Sequence, residues 1–156
     1  MDSYAPYGLE IGDLHNITTY QAGVMQSAAH RALQKYCDDI LQPYGLTKIQ
    51  WLLIGTVLDN GDSGIRPTDL ANQLGTTSSW LATALKPLVA RKVIRREQHS
   101  KDSRSKLIFI HPDFAPDCAE IERAVRDGLR RTIYAHITPL EFRIYLKVLY
   151  QLSQIK

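Results

Sequence analysis

Apolar residues recur along much of the chain at steps of three and four positions, the period of helices that bury one face. The first such stretch covers about residues 13–42 and ends at Pro43 and Gly45, residue types that favour a turn. The pattern therefore predicts a long first helix with one apolar stripe. The stripe consists of Leu14, Ile17, Val24, Ala28, Ala32, Tyr36 and Ile40.

A second helix is predicted to begin after Thr47, because Thr47 and Gln50 have the spacing of a capping box. In that motif the hydroxyl accepts a hydrogen bond from the backbone N–H three residues on, and the glutamine side chain returns one. The polar, glycine-containing segment 60–64 predicts a loop after this helix. The residues expected to be buried on it are Trp51, Ile54 and Leu58.

Two short helices separated by a glycine come next, the pattern of a helix-turn-helix. The third helix is predicted to begin at Pro67 and to end before Gly75, which suits a left-handed cap. The fourth begins after Thr77 and contains Pro87, which removes one backbone hydrogen bond and predicts a bend or an early end. The inward positions are Leu70, Ala71 and Leu74 on the third helix and Leu81, Leu85 and Leu88 on the fourth.

The last third of the chain predicts a β-hairpin and two more helices. Apolar or β-branched runs at 93–98 and 106–110 flank the polar segment 99–105, which is expected to be the hairpin tip. Helical spacing resumes after residue 113, and Thr138 and Glu141 form a second capping box. These helices have the stripes Cys118, Ile121, Val125, Leu129 and Ile133, and Leu140, Ile144, Val148, Leu152 and Ile155. The long terminal helices carry surplus apolar surface, which is typical of packing against a second copy.

The charge distribution adds a candidate binding surface. The chain has a net charge of only +3, but segment 91–106 holds seven basic and two acidic residues. A local basic segment on a mildly acidic body is typical of a polyanion site, with a solvated charged hairpin as the alternative. The basic residues are Arg91, Lys92, Arg95, Arg96, Lys101, Arg104 and Lys106.

Two elements have the chemistry to contact DNA. The fourth helix presents serines, a threonine and a lysine, which can reach phosphates or base edges, although it lacks the Arg, Asn or Gln of bidentate base contacts. Trp80 on this helix is either a residue at the edge of the core, which we favour, or a contact on the phosphate side. In the hairpin tip, Asp102 can orient Arg104 for entry into a narrow A·T-rich minor groove. The predicted DNA-binding residues are Ser78, Ser79, Thr83, Lys86, Arg95, Lys101, Asp102 and Arg104.

Other classes of protein lack support in the sequence. There is no glycine-rich phosphate loop, no nucleophile elbow and no histidine pair with metal-ligand spacing, so we expect neither an enzyme nor a cofactor or metal. No apolar run is long enough to span a membrane, and no signal pattern precedes the first helix, which predicts a cytoplasmic protein. Cys37 and Cys118 are expected to be buried as small apolar residues.

Four stretches in order resemble the MarR family of winged helix-turn-helix regulators. They are 46–51, 69–75, 102–105 and 138–142. The resemblance implies one mainly α domain, 1–156, with a small β-hairpin wing. A DNA-binding lobe at about 46–111 would be flanked by dimerisation helices at about 12–42 and 113–156. It also implies a recognition helix at about 77–91 and a wing at 93–110, whose Asp102 and Arg104 match the family's aspartate-x-arginine motif.

The same resemblance implies a function. We expect a homodimeric, sequence-specific regulator of transcription, acting as a repressor on a pseudo-palindromic operator in double-stranded DNA. Release by a small aromatic effector in a crevice near His15, Tyr20 and Trp51 is also implied. The chain departs from the family pattern at Ala82 and Thr83, where a threonine and an arginine are common, at Pro87, and at Lys92, where glycine is usual.

Two alternatives remain open from the sequence. One is a winged-helix dimer that acts as a protein-interaction or anti-repressor module with weak DNA readout, which the recognition helix favours and the basic wing opposes. The other is a cysteine- or metal-based sensor.

Overall fold

In a computed structural model of the chain, residues 16–99 and 102–155 are described, and residues 99 and 102–105 by their backbone only. The chain divides into two units, Met1–Lys35 and Tyr36–Lys156. The fold is mainly helical with one two-stranded hairpin, which confirms the predicted class. In order, the elements are α1 (Thr19–Leu41), α2 (Lys48–Asp59), α3 (Pro67–Gln73), α4 (Ser78–Ala90), β1 (Ile94–His99), β2 (Asp102–Ile110), α5 (Ala115–Arg131) and α6 (Pro139–Ser153).

The first helix begins later than predicted. Thr18 donates from its backbone N–H to Gln21 Oε1 at 2.9 Å, and its hydroxyl accepts from the Gln21 N–H at 3.4 Å. These reciprocal bonds satisfy amides at the start of α1, so the helix begins at Thr19. Ile17 therefore precedes the helix instead of lying in its stripe, and the predicted stripe residue Leu14 lies outside the described residues.

The second helix has the predicted cap but a different buried face. Thr47 and Gln50 form both bonds of the capping box, and Asp38 Oδ1 accepts from the Lys48 N–H at 2.5 Å. The residues with buried side chains are Leu53, Ile54 and Val57, whereas Leu58 is exposed and Trp51 is half-buried against the core. The prediction of Leu58 as buried was wrong, whereas Trp51 packs against the core without being fully buried. Apolar residues at 51–54, 57 and 58 point to all sides of the helix, so spacing alone does not select a face.

The helix-turn-helix forms as predicted. Gly75 has φ of +62°, and its N–H donates to the Asn72 carbonyl at 3.2 Å, which ends α3. The hydroxyl of Thr77 accepts from the Trp80 N–H at 3.2 Å and caps α4. Despite Pro87, α4 continues to Ala90. Its buried residues are Leu81, Leu85 and Leu88.

The hairpin is longer than predicted. The strands pair antiparallel from Ile94 with Ile110 to Gln98 with Lys106, after which the register shifts and His99 pairs with Asp102. Segment 102–105 therefore belongs to β2 rather than to a loop, because backbone pairing does not require apolar side chains. Ile65, just before α3, forms a bridge with Ile108 through hydrogen bonds of 3.1 and 2.9 Å.

The carboxy-terminal helices differ in burial. α5 buries Cys118, Ile121 and Val125, and Gly128 lies so close to Ile40 that a Cβ there would be 2.5 Å from its Cδ1. Ile133, predicted in this helix, lies beyond its end at Arg131. α6 has the predicted capping box but no buried residue. The predicted stripe on α6 is exposed, at Leu140, Ile144, Val148, Leu152 and Ile155. None of the described helices is both long and apolar enough to cross a membrane.

A close contact anchors the hairpin at its base. Gly64 has φ of +62°, and a Cβ at this position would lie 2.5 Å from Cζ of Phe109. Gly61 also has a positive φ, of +48°, but its Cβ would meet no atom within 4 Å. Both glycines have a positive φ, but Gly64 combines it with a ψ of 176°, a conformation essentially restricted to glycine, so the two positions differ in backbone as well as in packing.

Replacing each glycine by alanine compares the two positions. Gly61→Ala should lower the free energy of unfolding by about 1 kcal/mol through backbone strain alone. Gly64→Ala adds overpacking against Phe109 and a glycine-only backbone conformation, and should cost about 2–4 kcal/mol. Denaturant unfolding at one fixed protein concentration measures both changes. Equal decreases in the two variants would contradict the proposed contact between the loop and the wing.

Candidate nucleic-acid interface

The predicted contact residues of α4 lie on its exposed side. Ser78, Ser79, Thr83 and Lys86 are all exposed, while the three inner leucines hold the opposite side in the core. The Thr83 hydroxyl donates to the Ser79 carbonyl at 3.3 Å, so its proton is used within the helix. The helix thus offers few free donors for base edges.

Trp80 is exposed, and the prediction that it lies at the core edge was wrong. Helical spacing turns it about 100° from Leu81 and about 140° from Leu85, and 40% of its surface is accessible. The inner leucines already fill the space beneath the helix, so the indole has no place in the core. The sequence signal for this position was the helical spacing, which puts Trp80 about 100° from Leu81.

Arg91 and Lys92 close the carboxyl end of α4. The Arg91 guanidinium donates to the Gly45 carbonyl at 2.5 Å and to the Tyr44 carbonyl at 3.1 Å. It therefore ties α4 to the turn before α2, a role that the count of basic residues did not reveal. Lys92 has φ of +55°, the left-handed conformation that glycine adopts most readily.

Arg95 lies at the base of the hairpin. Its guanidinium pairs with Glu97, and its Cζ lies 4.8 Å from the centroid of the Phe109 ring. Nε of Arg95 is buried and has no hydrogen-bond partner among the described residues. By contrast, Arg96 and Lys106 are exposed. The free positive charge of the wing thus lies on fewer residues than the sequence suggests.

The tip residues are described only in part. Asp102 begins β2 and Arg104 follows two residues later in the same strand, while Lys101 lies outside the described residues. Asp102 pairs with His99, whereas Arg104 lies within the register shift between that pair and the pair of Gln98 with Lys106. The interaction between the Asp102 and Arg104 side chains remains a prediction.

The effector crevice stays a prediction, because its residues lie in different units or outside the described residues. His15 lies outside the described residues, Tyr20 is an exposed residue of the first unit, and Trp51 is half-buried against the core of the second. The second unit has an open groove of about 420 Å³. It is lined by Asp38, Asp39, Gln42, Gly45, Leu46 and Thr47. Its two carboxylates disfavour an acidic ligand there.

Both cysteines are buried, as predicted. Burial raises the pKa of both thiols; at Cys37 the charge of Lys48 partly offsets this rise, and at Cys118 the carboxylate of Asp117 adds to it. A raised pKa leaves little thiolate at neutral pH, so neither residue resembles a reactive cysteine. No group of His, Cys, Asp and Glu that could hold a metal ion occurs among the residues with described side chains. The burial and raised pKa of the two thiols oppose the cysteine-based form of the sensor alternative.

The comparisons with known proteins agree with this geometry. Residues 44–105 match the MarR family. The chain matches no curated protein sequence. Similar solved structures include CouR, a transcriptional repressor bound to a 23-mer DNA duplex, with a TM-score of 0.78 and 18% identity over 94% of this chain and 99% of that chain.

Two further solved structures have the same fold. Sco3205 of Streptomyces coelicolor, in complex with DNA, has a TM-score of 0.75 and 20% identity over 88% of each chain. Wild-type MarR of E. coli, without ligand, has a TM-score of 0.71 and 18% identity over 83% of this chain and 94% of that chain. At these identities the likeness shows the fold.

The left-handed conformation of Lys92 can be tested by substitution. Lys92→Gly should raise the free energy of unfolding by about 1 kcal/mol, because glycine has no Cβ to clash in this conformation. Lys92→Ala removes the same charge but keeps the Cβ, and should stay within about 0.5 kcal/mol of the wild type. Thermal or denaturant unfolding provides the measurement. If both variants are stabilised equally, the charge and not the backbone is responsible.

Proposed function

Because residues 44–105 match the MarR family and fold as a winged helix-turn-helix, we propose that the protein binds double-stranded DNA sequence-specifically and regulates transcription. The observation that carries this proposal is the pairing of an exposed α4 with an anchored basic hairpin. The inner leucines fix α4 on one side, and the Ile65–Ile108 bridge fixes the hairpin on the other. An α-helix fits the major groove, which is about 12 Å wide.

Helix α4 and the hairpin contact different grooves of the duplex. Ser78, Ser79, Thr83 and Lys86 contact the major groove, while Arg104, oriented by Asp102, enters the adjacent minor groove. Lys101, which precedes Asp102 in the sequence, contributes a phosphate contact. Arg95 acts through the base of the wing, where its guanidinium lies over Phe109.

The protein acts as a homodimer on a pseudo-palindromic operator. The support for this part is the exposed apolar stripe of α6, a helix that buries none of its residues in a single chain. Segments 12–42 and 113–156 would form the dimerisation region. A two-fold dimer presents two recognition helices, which favours half-sites about one helical turn apart.

Repression and effector release complete the proposal. CouR, which has the same fold, is a transcriptional repressor bound to DNA, and this supports a repressor role here. A small aromatic effector near His15, Tyr20 and Trp51 would release the protein from DNA. Titration of a DNA complex with aromatic carboxylates, against a Tyr20→Ala variant, tests that part separately.

The protein-interaction alternative has one specific observation in its favour. The exposed side of α4 includes Trp80 and Val89, which are apolar, and only one cation, Lys86. Selection from random duplex DNA distinguishes the two functions. Enrichment of a pseudo-palindromic sequence supports regulation of transcription, whereas recovery of random sequences favours the protein partner.

The proposed dimer can be tested by placing a single charge on α6 and measuring the oligomeric state. Obligate interfaces of this kind bury roughly 2,000 Å² or more, so the wild type should be dimeric at micromolar concentration in light scattering. Ile144→Asp places a charge in the apolar stripe and should give monomers or much weaker dimers. Ser153→Asp places the same charge on the opposite side of α6 and should leave the dimer intact. A wild-type protein that is folded and monomeric would contradict the proposed homodimer with its two recognition helices.

Substitutions in the wing and in the recognition helix should affect DNA binding in different ways. Arg104→Ala should weaken binding to all duplexes, most strongly to sites with A·T-rich flanks. It should also reduce the slope of log affinity against log salt by roughly 0.9 for each phosphate that the arginine neutralises in each subunit. Asp102→Ala should cause part of this weakening. Thr83→Ala and Lys86→Ala should mainly reduce preference among sequences, by roughly 1–3 kcal/mol for each base contact removed.

Arg123→Ala provides the matched control, since it removes an exposed arginine from α5, outside the basic segment. It should change neither affinity nor salt slope. If Arg104→Ala behaves like this control, the wing is a solvated hairpin and the protein-partner function replaces DNA binding.

A further inference from the structure

Trp80 is the largest side chain on the exposed side of α4, and nothing in the fold requires it there. It lies in the first turn of the helix, directly after the Thr77 cap. The core beneath α4 is filled by Leu81, Leu85 and Leu88, each almost completely buried. In a helix-turn-helix, residues near the amino end of the recognition helix are the ones that contact base edges.

We propose that Trp80 recognises thymine, by packing its indole against C5-methyl groups in the major groove. This inference rests on the proposed DNA-binding function and adds the chemistry by which α4 selects its site. The readout is chiefly apolar, in contrast to the hydrogen-bonded readout of recognition helices that carry Arg, Asn or Gln.

The supply of hydrogen-bonding groups on α4 supports an apolar readout. The helix contains no Arg, Asn, Gln, Asp or Glu. Two of its hydroxyl groups are engaged locally, since Thr77 caps the helix and Thr83 donates to the Ser79 carbonyl. The remaining groups are two serine hydroxyls, the Lys86 ammonium and the indole N–H of Trp80.

The exposed apolar groups point to the same feature of DNA. Besides Trp80, the exposed positions include Ala82, Pro87, Val89 and Ala90. The thymine methyl is the apolar group that a base pair displays in the major groove, and it is read by apolar side chains. The neighbouring basic segment 91–106 makes a polyanion the electrostatically matched occupant of this surface, in preference to an apolar protein.

Deoxyuridine substitution isolates the methyl group. The probe is the best duplex obtained by selection, in which each symmetric pair of thymines in the half-sites is replaced in turn by deoxyuridine, which lacks only the C5-methyl. Replacing at least one of these thymine pairs should reduce the affinity of the wild-type protein. The expected loss is about fourfold for each methyl group removed and about fifteenfold when the methyl is removed from both half-sites. Fluorescence anisotropy with labelled duplex gives the affinities.

The Trp80→Ala variant completes a double-mutant cycle. This variant should bind the thymine duplex as weakly as the wild type binds the deoxyuridine duplex. Replacing thymine by deoxyuridine should then not reduce the affinity of the variant any further. Trp80→Phe keeps an apolar ring and should retain a preference for the thymine duplex. The salt slope should be unchanged in both variants, because a methyl contact releases no counterions.

Two results would overturn the inference while leaving DNA binding intact. In the first, Trp80→Ala weakens binding equally on both duplexes, which places the indole on the sugar–phosphate backbone. In the second, Trp80→Ala binds like the wild type, which assigns the exposed ring to another partner. Failure of the wild type to bind any duplex would instead overturn the proposed function, and this inference with it.

Discussion

The burial of one side of α4 is the constraint on which the candidate interface depends. Leu81, Leu85 and Leu88 are each 0–1% exposed, and a fully buried leucine contributes roughly 1.5–3 kcal/mol relative to an exposed one. Once these three side chains are in the core, the helix has no rotational freedom left. Apart from Ala84, which is half-buried against the core, every other position of α4 is placed on the surface by geometry, whatever its chemistry.

Features that depend on residues close together in the sequence were predictable from it. The capping boxes at Thr47 and Thr138 formed because both partners lie within one helical turn, and the left-handed Gly75 needs only a glycine after the last helical turn. The late start of α1 belongs to the same class. Thr18 and Gln21 have the spacing of a capping box, but the apolar periodicity that extends towards residue 13 masks it.

Features that depend on distant segments were not predictable in the same way. Which face of α2 is buried is decided by its packing partners, because the helix is apolar all round. The role of Arg91 depends on the Gly45 carbonyl, 46 residues away, and Glu97 and the Phe109 ring lie against the Arg95 guanidinium. A count of charges in segment 91–106 therefore identifies the surface but overestimates how many cations are free to bind. Likewise, Trp80 is exposed because other residues already occupy the core.

The attachment of the hairpin has a mechanical consequence. The wing is clamped near Ile108 by the bridge to Ile65 and by Phe109 against Gly64, while β2 extends from there to Asp102. Six residues of strand correspond to about 20 Å. The hairpin is thus a cantilever whose fixed end is only two residues from the start of α3. A force on the tip acts through this lever arm on the clamp, so bending of the wing is transmitted to the helix-turn-helix rather than absorbed by a flexible joint.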